Sequence, residues 1–292
     1  MLKSKRNRVL LCFVIPALLL YVTFWILPVL MSFFYGFTDW NGVGDYSFVG
    51  FENFKYLFKD GTLVNAIKNT FIYAFFIVVF GNVSALTLAM IINMKLKLKG
   101  AFRTVFYIPA LFSTIVVGFV WSYVFAPYYG MIYNIFDIFG AAESAPNFLG
   151  SSATALIAVA FVEQWKNCGT MTLIYLAGLQ NIPGEVLESA KMDGCKWYQE
   201  IFRIKIPMLA NTIMINVILG MISGFKSFDY VFTLTGGGPG SATSTLMYTV
   251  YKIAFIDSQY GLAEALAASA FLLILIISVI VLCLFKRKET EA

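Results

Sequence analysis

The sequence predicts an all-α membrane protein of six transmembrane helices, one membrane domain over residues 1–292, with the N- and C-termini both cytoplasmic. Three observations predict it. The first is composition: 60% of the 292 residues are hydrophobic and 13% charged, at a mean hydropathy of +0.79, which no soluble globular domain of this length shows. The second is a succession of apolar runs near the length of about 20 residues that a helix needs to cross a bilayer. The third is where the cations sit. Fifteen of the 21 Lys and Arg residues fall beside the ends assigned to one side, and only Lys55, Lys59, Lys68 and Lys252 beside the other. The positive-inside rule makes the rich side the cytoplasm. The net charge of +5 is therefore explained by a membrane rather than by nucleic acid.

Taken in order, a basic N-terminus carrying Lys3, Lys5, Arg6 and Arg8 leads into a first span at about 9–37. That run is far longer than the apolar core of about 7–15 residues in a signal peptide, and Pro16 and Pro28 are expected to kink it. Residues 39–68 are polar and aromatic, an external segment with a short interfacial helix around 52–58. A second span at about 71–94 ends in the cluster Lys95, Lys97, Lys99 and Arg103. A third follows at about 104–125, then an external stretch 127–150 with Gly, Pro and Asn turn signals. The fourth span, about 152–179, leads to a charged elbow at 183–207. The fifth, about 208–234, meets the turn Gly236-Gly237-Gly238-Pro239, and the last, about 262–285, ends in Lys286-Arg287-Lys288. No internal repeat is visible.

The elbow is the one charged, regularly patterned segment among these runs. Val186, Leu187 and Ala190 share a helical face, with Glu185 and Glu188 in the first turns where a helix N-terminus favours negative charge. Asp193-Gly194 should stop that helix, since Gly194 can take the left-handed conformation a helix end needs. A second helix then carries Trp197, Ile201 and Ile204 at i, i+4 and i+7, with Lys196, Glu200 and Arg203 able to pair across the other face and Pro207 ending it. Two short helices with an aromatic stripe, held between spans, make a plug for a socket on another protein. The segment resembles the EAA motif of ABC importer permeases: Glu188, Ser189 and Ala190 stand for Glu-Ala-Ala, Gly194 for the glycine, Ile204 for the isoleucine and Ile206-Pro207 for Leu-Pro. The resemblance implies the type I ABC importer permease fold and a cytoplasmic elbow that couples to the ATPase through Glu188, Ser189, Ala190, Asp193, Gly194, Trp197, Ile204 and Pro207.

Several chemistries are excluded or disfavoured. There is no histidine, the commonest general base and metal ligand, and no metal site is expected. No GxxxxGK[ST] loop occurs, so the chain binds no ATP in the P-loop manner; it is expected to carry no cofactor, with ATP held by partner subunits. The glycine-rich turn lacks the lysine of a phosphate cradle and reads as a tight reversal. Cys12, Cys168, Cys195 and Cys283 are scattered and read as small apolar residues rather than disulfides or ligands. The intramembrane ions carry more information. Glu163 and Lys166 lie at i, i+3 on the fourth span, and Lys226 and Asp229 at i, i+3 on the fifth. A charge at bilayer depth costs about 2.5–3.5 kcal/mol on insertion scales. These residues are therefore either self-neutralising pairs that pack helices together, or part of a polar pocket between the fourth and fifth spans. Gln164, Trp165, Asn167 and Ser227 fit the pocket, because amides, hydroxyls and an aromatic face suit a sugar-like solute.

Ile182-Pro183, the LTGGGP at 234–239 and the YxxAF at 251–255 are similar to the larger-subunit type of carbohydrate ABC permeases, the maltose-permease type. That resemblance implies solute binding by Glu163, Lys166, Asn167, Gly224 and Ser227, with a departure at Glu163 and Lys166, where the maltose subunit is uncharged. It also implies the partners of a bacterial cell membrane importer: a sister permease in a heterodimer, an ATP-binding cassette ATPase dimer and an extracellular solute-binding protein. Two other readings are an intramembrane enzyme using Glu163 or Asp229, and an ion-coupled secondary carrier. The first lacks paired catalytic groups on facing helices and the second lacks two related halves with broken helices. Neither needs a docking elbow.

Overall fold

The computed structural model describes residues 14–94 and 99–290, with side chains described as far as 281. The cationic N-terminus, Cys12, Lys95, Lys97 and the side chains of Cys283 and of Lys286-Arg287-Lys288 lie outside the described residues. The structure is helical, with α1 (Val14–Tyr35), α2 (Glu52–Lys59), α3 (Thr62–Asn93), α4 (Lys99–Leu111), α5 (Thr114–Val124), α6 (Met131–Ile138), α7 (Ala155–Gln180), α8 (Gly184–Met192), α9 (Trp197–Met208), α10 (Ala210–Phe225), α11 (Asp229–Leu234), α12 (Leu246–Ile256) and α13 (Tyr260–Thr290). Among the described residues, α1, α3 and the 260–281 part of α13 are long and apolar enough to cross a membrane; the count is five if the bent pairs α4–α5 and α9–α10 are each one span. Helix α7, at 26 residues, is long enough, but its polar run from Glu163 to Asn167 dilutes its hydropathy.

The described residues divide into two compact units, one of residues up to 64 with 249–283, the other built on 65–248. In the first, α1 and α13 pack closely. Gly36 faces the Ala265 backbone, which a Cβ would meet at 3.1 Å. Phe33 and Phe271 meet edge to face at 5.8 Å, and the Ser32 hydroxyl donates to Glu264. In the second, helices cross at glycines. A Cβ on Gly169 of α7 would lie 2.2 Å from the Phe106 carbonyl oxygen of α4, and one on Gly224 of α10 would lie 2.5 Å from Ala74 Cα of α3. Beyond these crossings Ala85, Ala89, Ile92, Met171, Tyr175, Leu176, Leu179 and Leu209 form a buried apolar core.

Four expectations need correction. The third span is not one helix: α4 and α5 are bent by 99°. Helix α4 contains Pro109, whose ring removes a backbone donor, and stops two residues later. Ser113 is then extended (ψ 141°) and opens α5. The fifth span is also broken, because α10 stops at Phe225 and α11 starts at Asp229. Lys226 and Asp229 are thus not neighbours on one helix face. Asp229 instead sits in the first turn of α11, where the helix dipole favours it.

The prolines are the third correction. Pro207 does not end the second elbow helix, which continues to Met208 before bending 71° into α10. Just before it, residues Glu200–Lys205 form a π turn, and Val22–Ile26 form another just before Pro28. A proline ring clashes with the carbonyl four residues earlier, and the wider turn moves that carbonyl aside, so neither helix breaks. The fourth follows from the third. Glu200 pairs with Lys205 at 2.7 Å rather than with Lys196 or Arg203, because the π turn brings i and i+5 together.

Candidate functional site

The buried polar centre of the second unit is built from three helices. Glu163 on α7 is 4% exposed. Tyr73 on α3 donates its hydroxyl to Glu163 Oε2 at 2.6 Å, and Ser223 on α10 donates to Oε1. Both oxygens are therefore engaged, and the carboxyl ties α3, α7 and α10 together. No salt bridge joins Glu163 to Lys166, or Lys226 to Asp229, among the described residues. Asp229 instead accepts from Thr114 Oγ1 at 2.9 Å, fastening α11 to α5. Of the two alternatives, the self-neutralising pairs are not formed among the described residues: hydroxyls from other helices, not lysines one turn away, hold both carboxyls.

The remaining expected solute residues fall in different settings. Lys166 and Asn167 are half-buried on the face of α7 that also carries Glu163. Gly224 is buried against Ala74, a helix-crossing contact. Ser227 is 4% exposed; its carbonyl accepts from Thr245 at 2.8 Å, while its Oγ is buried with no hydrogen-bond partner. The Tyr230 hydroxyl is buried and unpartnered too. These two buried hydroxyls leave hydrogen bonds unmade, at a cost of about 1–3 kcal/mol each.

Gln164 and Trp165 do not join this group. At 100° per residue they turn to another side of α7, where they line a cavity of about 360 Å³ with residues of α3 and α4. Sequence reading missed Tyr73, Thr114, Ser223 and Tyr230. Nothing local could have found Tyr73, which lies 90 residues from the carboxyl it serves. Ser223 had a signal in its position one turn before Ser227.

The elbow is set apart from this centre by exposure. Helix α8 ends as the sequence predicts at a glycine of positive φ: Gly194 has φ +76°, and the Cys195 N–H reaches back to the Ala190 carbonyl at 3.0 Å in the Schellman pattern. Helix α9 opens with the Lys196 N–H donating to Gln199 Oε1 at 2.8 Å. Met192 and Trp197 are 89% and 74% exposed. Glu188, Ser189, Asp193 and Pro207 are also exposed, and Ala190 and Ile204 half-buried. Cys168 and Cys195 are free thiols.

Comparison with known proteins places these features in a family. A family model described as "Binding-protein-dependent transport system inner membrane component" matches residues 77–289. The chain is 35% identical to the multiple sugar-binding transport system permease protein MsmF of Streptococcus mutans, over 95% of each chain. It is 30% identical to the probable starch degradation products transport system permease protein AmyD of Thermoanaerobacterium thermosulfurigenes, over 96% of this chain and 94% of that one. Its fold matches a chain from the crystal structure of a bacterial ABC transporter involved in the import of the acidic polysaccharide alginate, with a TM-score of 0.85, 22% identity and coverage of 98% and 97%. The chain therefore belongs to the inner membrane components of binding-protein-dependent transport systems, a family of multi-pass transport permeases and not of enzymes.

Proposed function

We propose that this chain is the permease subunit of an ATP-driven, binding-protein-dependent carbohydrate importer in a bacterial cell membrane. It pairs with a sister permease, receives solute from an extracellular binding protein and is driven by an ATPase dimer. The relatives named above for sugars and starch products support the solute class. A related alginate importer seen with a pentasaccharide-bound periplasmic protein supports the binding-protein partner. Six spans follow if α7 crosses along with α1, α3, α13 and the two bent pairs, and the distribution of Lys and Arg then puts both termini and the elbow in the cytoplasm. Glu163, Lys166, Asn167, Gly224 and Ser227 are the solute-site candidates.

The observation that carries this reading is the elbow. Its two helices hold an exposed apolar stripe, Val186, Met192, Trp197, Tyr198 and Phe202, around a glycine whose backbone only glycine adopts at no cost. A surface of that kind marks a protein-binding site. The test is uptake of labelled oligosaccharide by cells, alongside co-purification of the ATPase. Gly194→Val should leave the chain in the membrane yet weaken ATPase attachment and abolish uptake. Normal attachment and uptake by that variant would remove the elbow from coupling.

One observation favours a second role for a single residue. Both oxygens of Glu163 are already bonded within the protein, which suits a clamp between helices, with Lys166, Asn167 and Ser227 left to face solute.

A further inference from the structure

The first unit holds a cleft of about 660 Å³ between the turn after α1, helix α2 and the start of α13. Its walls are tied down by the backbone. Thr38 pairs with Phe48 in an antiparallel bridge, and Asn53 donates to the Gly36 and Thr38 carbonyls at 3.0 and 2.8 Å. The Gly261 N–H donates to the Trp40 carbonyl at 2.7 Å, and a Cβ on Gly261 would lie 2.0 Å from the Thr38 carbonyl oxygen. Trp40 is stacked on Tyr35 with ring centroids 4.4 Å apart. It lines the cleft, as does the exposed Tyr56. The polar lining, by contrast, is left unspent. Asn41, Glu52 and Gln259 line the cleft, and none of their side chains has a hydrogen bond or ion pair among the described residues. Asp39 uses one carboxylate oxygen on the Ser47 N–H at 2.6 Å and keeps the other. Among the described residues no lysine or arginine lines the cleft.

That lining selects a ligand by its chemistry. Carboxylates only accept hydrogen bonds, whereas amides both donate and accept. Neighbouring hydroxyls on a sugar ring match both: they donate to Asp39 and Glu52 and accept from Asn41 and Gln259, while an aromatic ring covers the C–H face. Two carboxylates with no cation beside them repel a ligand that carries a carboxylate or phosphate. They are also too few to hold a metal, and no group of three metal-binding side chains forms among the described residues. The volume lies within the range of about 300–1,000 Å³ usual for small-ligand sites. We propose that this cleft is a saccharide site at the outer mouth of the permease, taking a neutral sugar unit and turning away anionic ones. It rests on the reading above of a carbohydrate importer whose residues 39–68 lie outside. It shares no residue with the solute-site candidates of the second unit.

Trp40 reports on the cleft directly. The full chain, assembled with its partner subunits in nanodiscs but without the binding protein, is titrated with maltotriose, cellotriose, raffinose and trigalacturonate. The fluorescence difference between wild type and Trp40→Phe isolates the Trp40 signal. At least one of the three neutral trisaccharides should change that signal saturably, and trigalacturonate at the same concentrations should not. Glu52→Ala should raise the midpoint about tenfold and Gln259→Ala about threefold. Both residues are exposed, so co-purification of the ATPase should match wild type. No saturable change with any neutral trisaccharide would overturn the proposal, as would an equal response to trigalacturonate or a double variant that binds like wild type. Uptake of labelled oligosaccharide by cells separates this from the importer reading. Uptake with a silent Trp40 sinks the cleft alone, whereas a saturable Trp40 response without uptake sinks the importer reading alone.

Discussion

Helix α7 and the elbow that follows it each carry charged residues and two glycines, yet use them in opposite ways. In α7 the carboxyl of Glu163 is 4% exposed and bonded through both oxygens to other helices. One of the two glycines of α7, Gly169, is pressed against the α4 backbone. In the elbow most charges are on the surface, Glu200 and Lys205 being half-buried, and Gly194 has open space where a Cβ would go, being required only for its φ of +76°. The contrast teaches that the same residue types mark internal joints where they are buried and external docking where they are bare. Sequence spacing alone does not distinguish the two.

The sharpest way to break this comparison is at the glycines. Gly169→Val drives a methyl-bearing carbon into a backbone carbonyl that cannot swing away, so a loss of about 3 kcal/mol or more is expected, with little protein reaching the membrane. Gly194→Val costs only the left-handed backbone, about 1–2 kcal/mol, and should leave the membrane level nearly unchanged while lowering thermal unfolding in detergent by only a few degrees. If the two variants unfold alike, the division between internal joint and external surface fails.

A smaller effect is expected at the carboxyl. Glu163→Ala orphans the Tyr73 and Ser223 hydroxyls and should lower stability by about 1–3 kcal/mol, toward the lower end because hydrogen bonds within membranes are modest. Lys166→Met should cost less, since no salt bridge joins it to Glu163. Adding it to Glu163→Gln should therefore not restore stability or uptake. Recovery by the double variant, measured as thermal unfolding and uptake per unit of membrane protein, would return the two residues to a mutual pair.

The smallest effect belongs to the elbow's ion pair. Glu200→Gln removes a partly buried ion pair, its side chains 16% and 21% exposed, but leaves an amide oxygen that can still accept from Lys205, so the loss should stay near about 1 kcal/mol and shift thermal unfolding by only a few degrees. A shift as large as that of Glu163→Ala would show that this bridge, too, is an internal joint.

Much of the helical architecture was legible because hydrophobic runs and the glycine at Gly194 act locally. The elbow's two helices follow from one apolar face each and a residue that tolerates positive φ. The breaks in the third and fifth spans were read through as continuous helix, although Pro109 stands just before the first and Lys226, Ser227 and Asp229 cluster at the second, because the average apolarity of a run does not say whether a helix turns inside it. Residues Phe112 and Ser113 look no different from their neighbours, yet the chain bends 99° there. Glu163 was legible as a buried charge, but not its partners. The i, i+3 rule names Lys166, whereas the structure chose hydroxyls from helices 60 and 90 residues away. Gln164 and Trp165 were misgrouped with Glu163 because adjacency in the chain was allowed to outweigh the helical period.

The glycine crossings have a mechanical consequence. Where bulky side chains interlock, two helices resist a change of angle, because knobs must leave holes before they can turn. Gly169 against Phe106 and Gly224 against Ala74 present bare backbone to backbone, and such a joint acts as a bearing. The helices can roll over it while their separation stays fixed. Helix α7 thus has a bearing at Gly169 and, less than two turns away, a latch at Glu163. Rolling α7 over α4 would strain the hydroxyl bonds that reach Glu163 from α3 and α10 while leaving the bearing seated, so resistance to motion would be concentrated in two hydrogen bonds rather than spread over a packed interface.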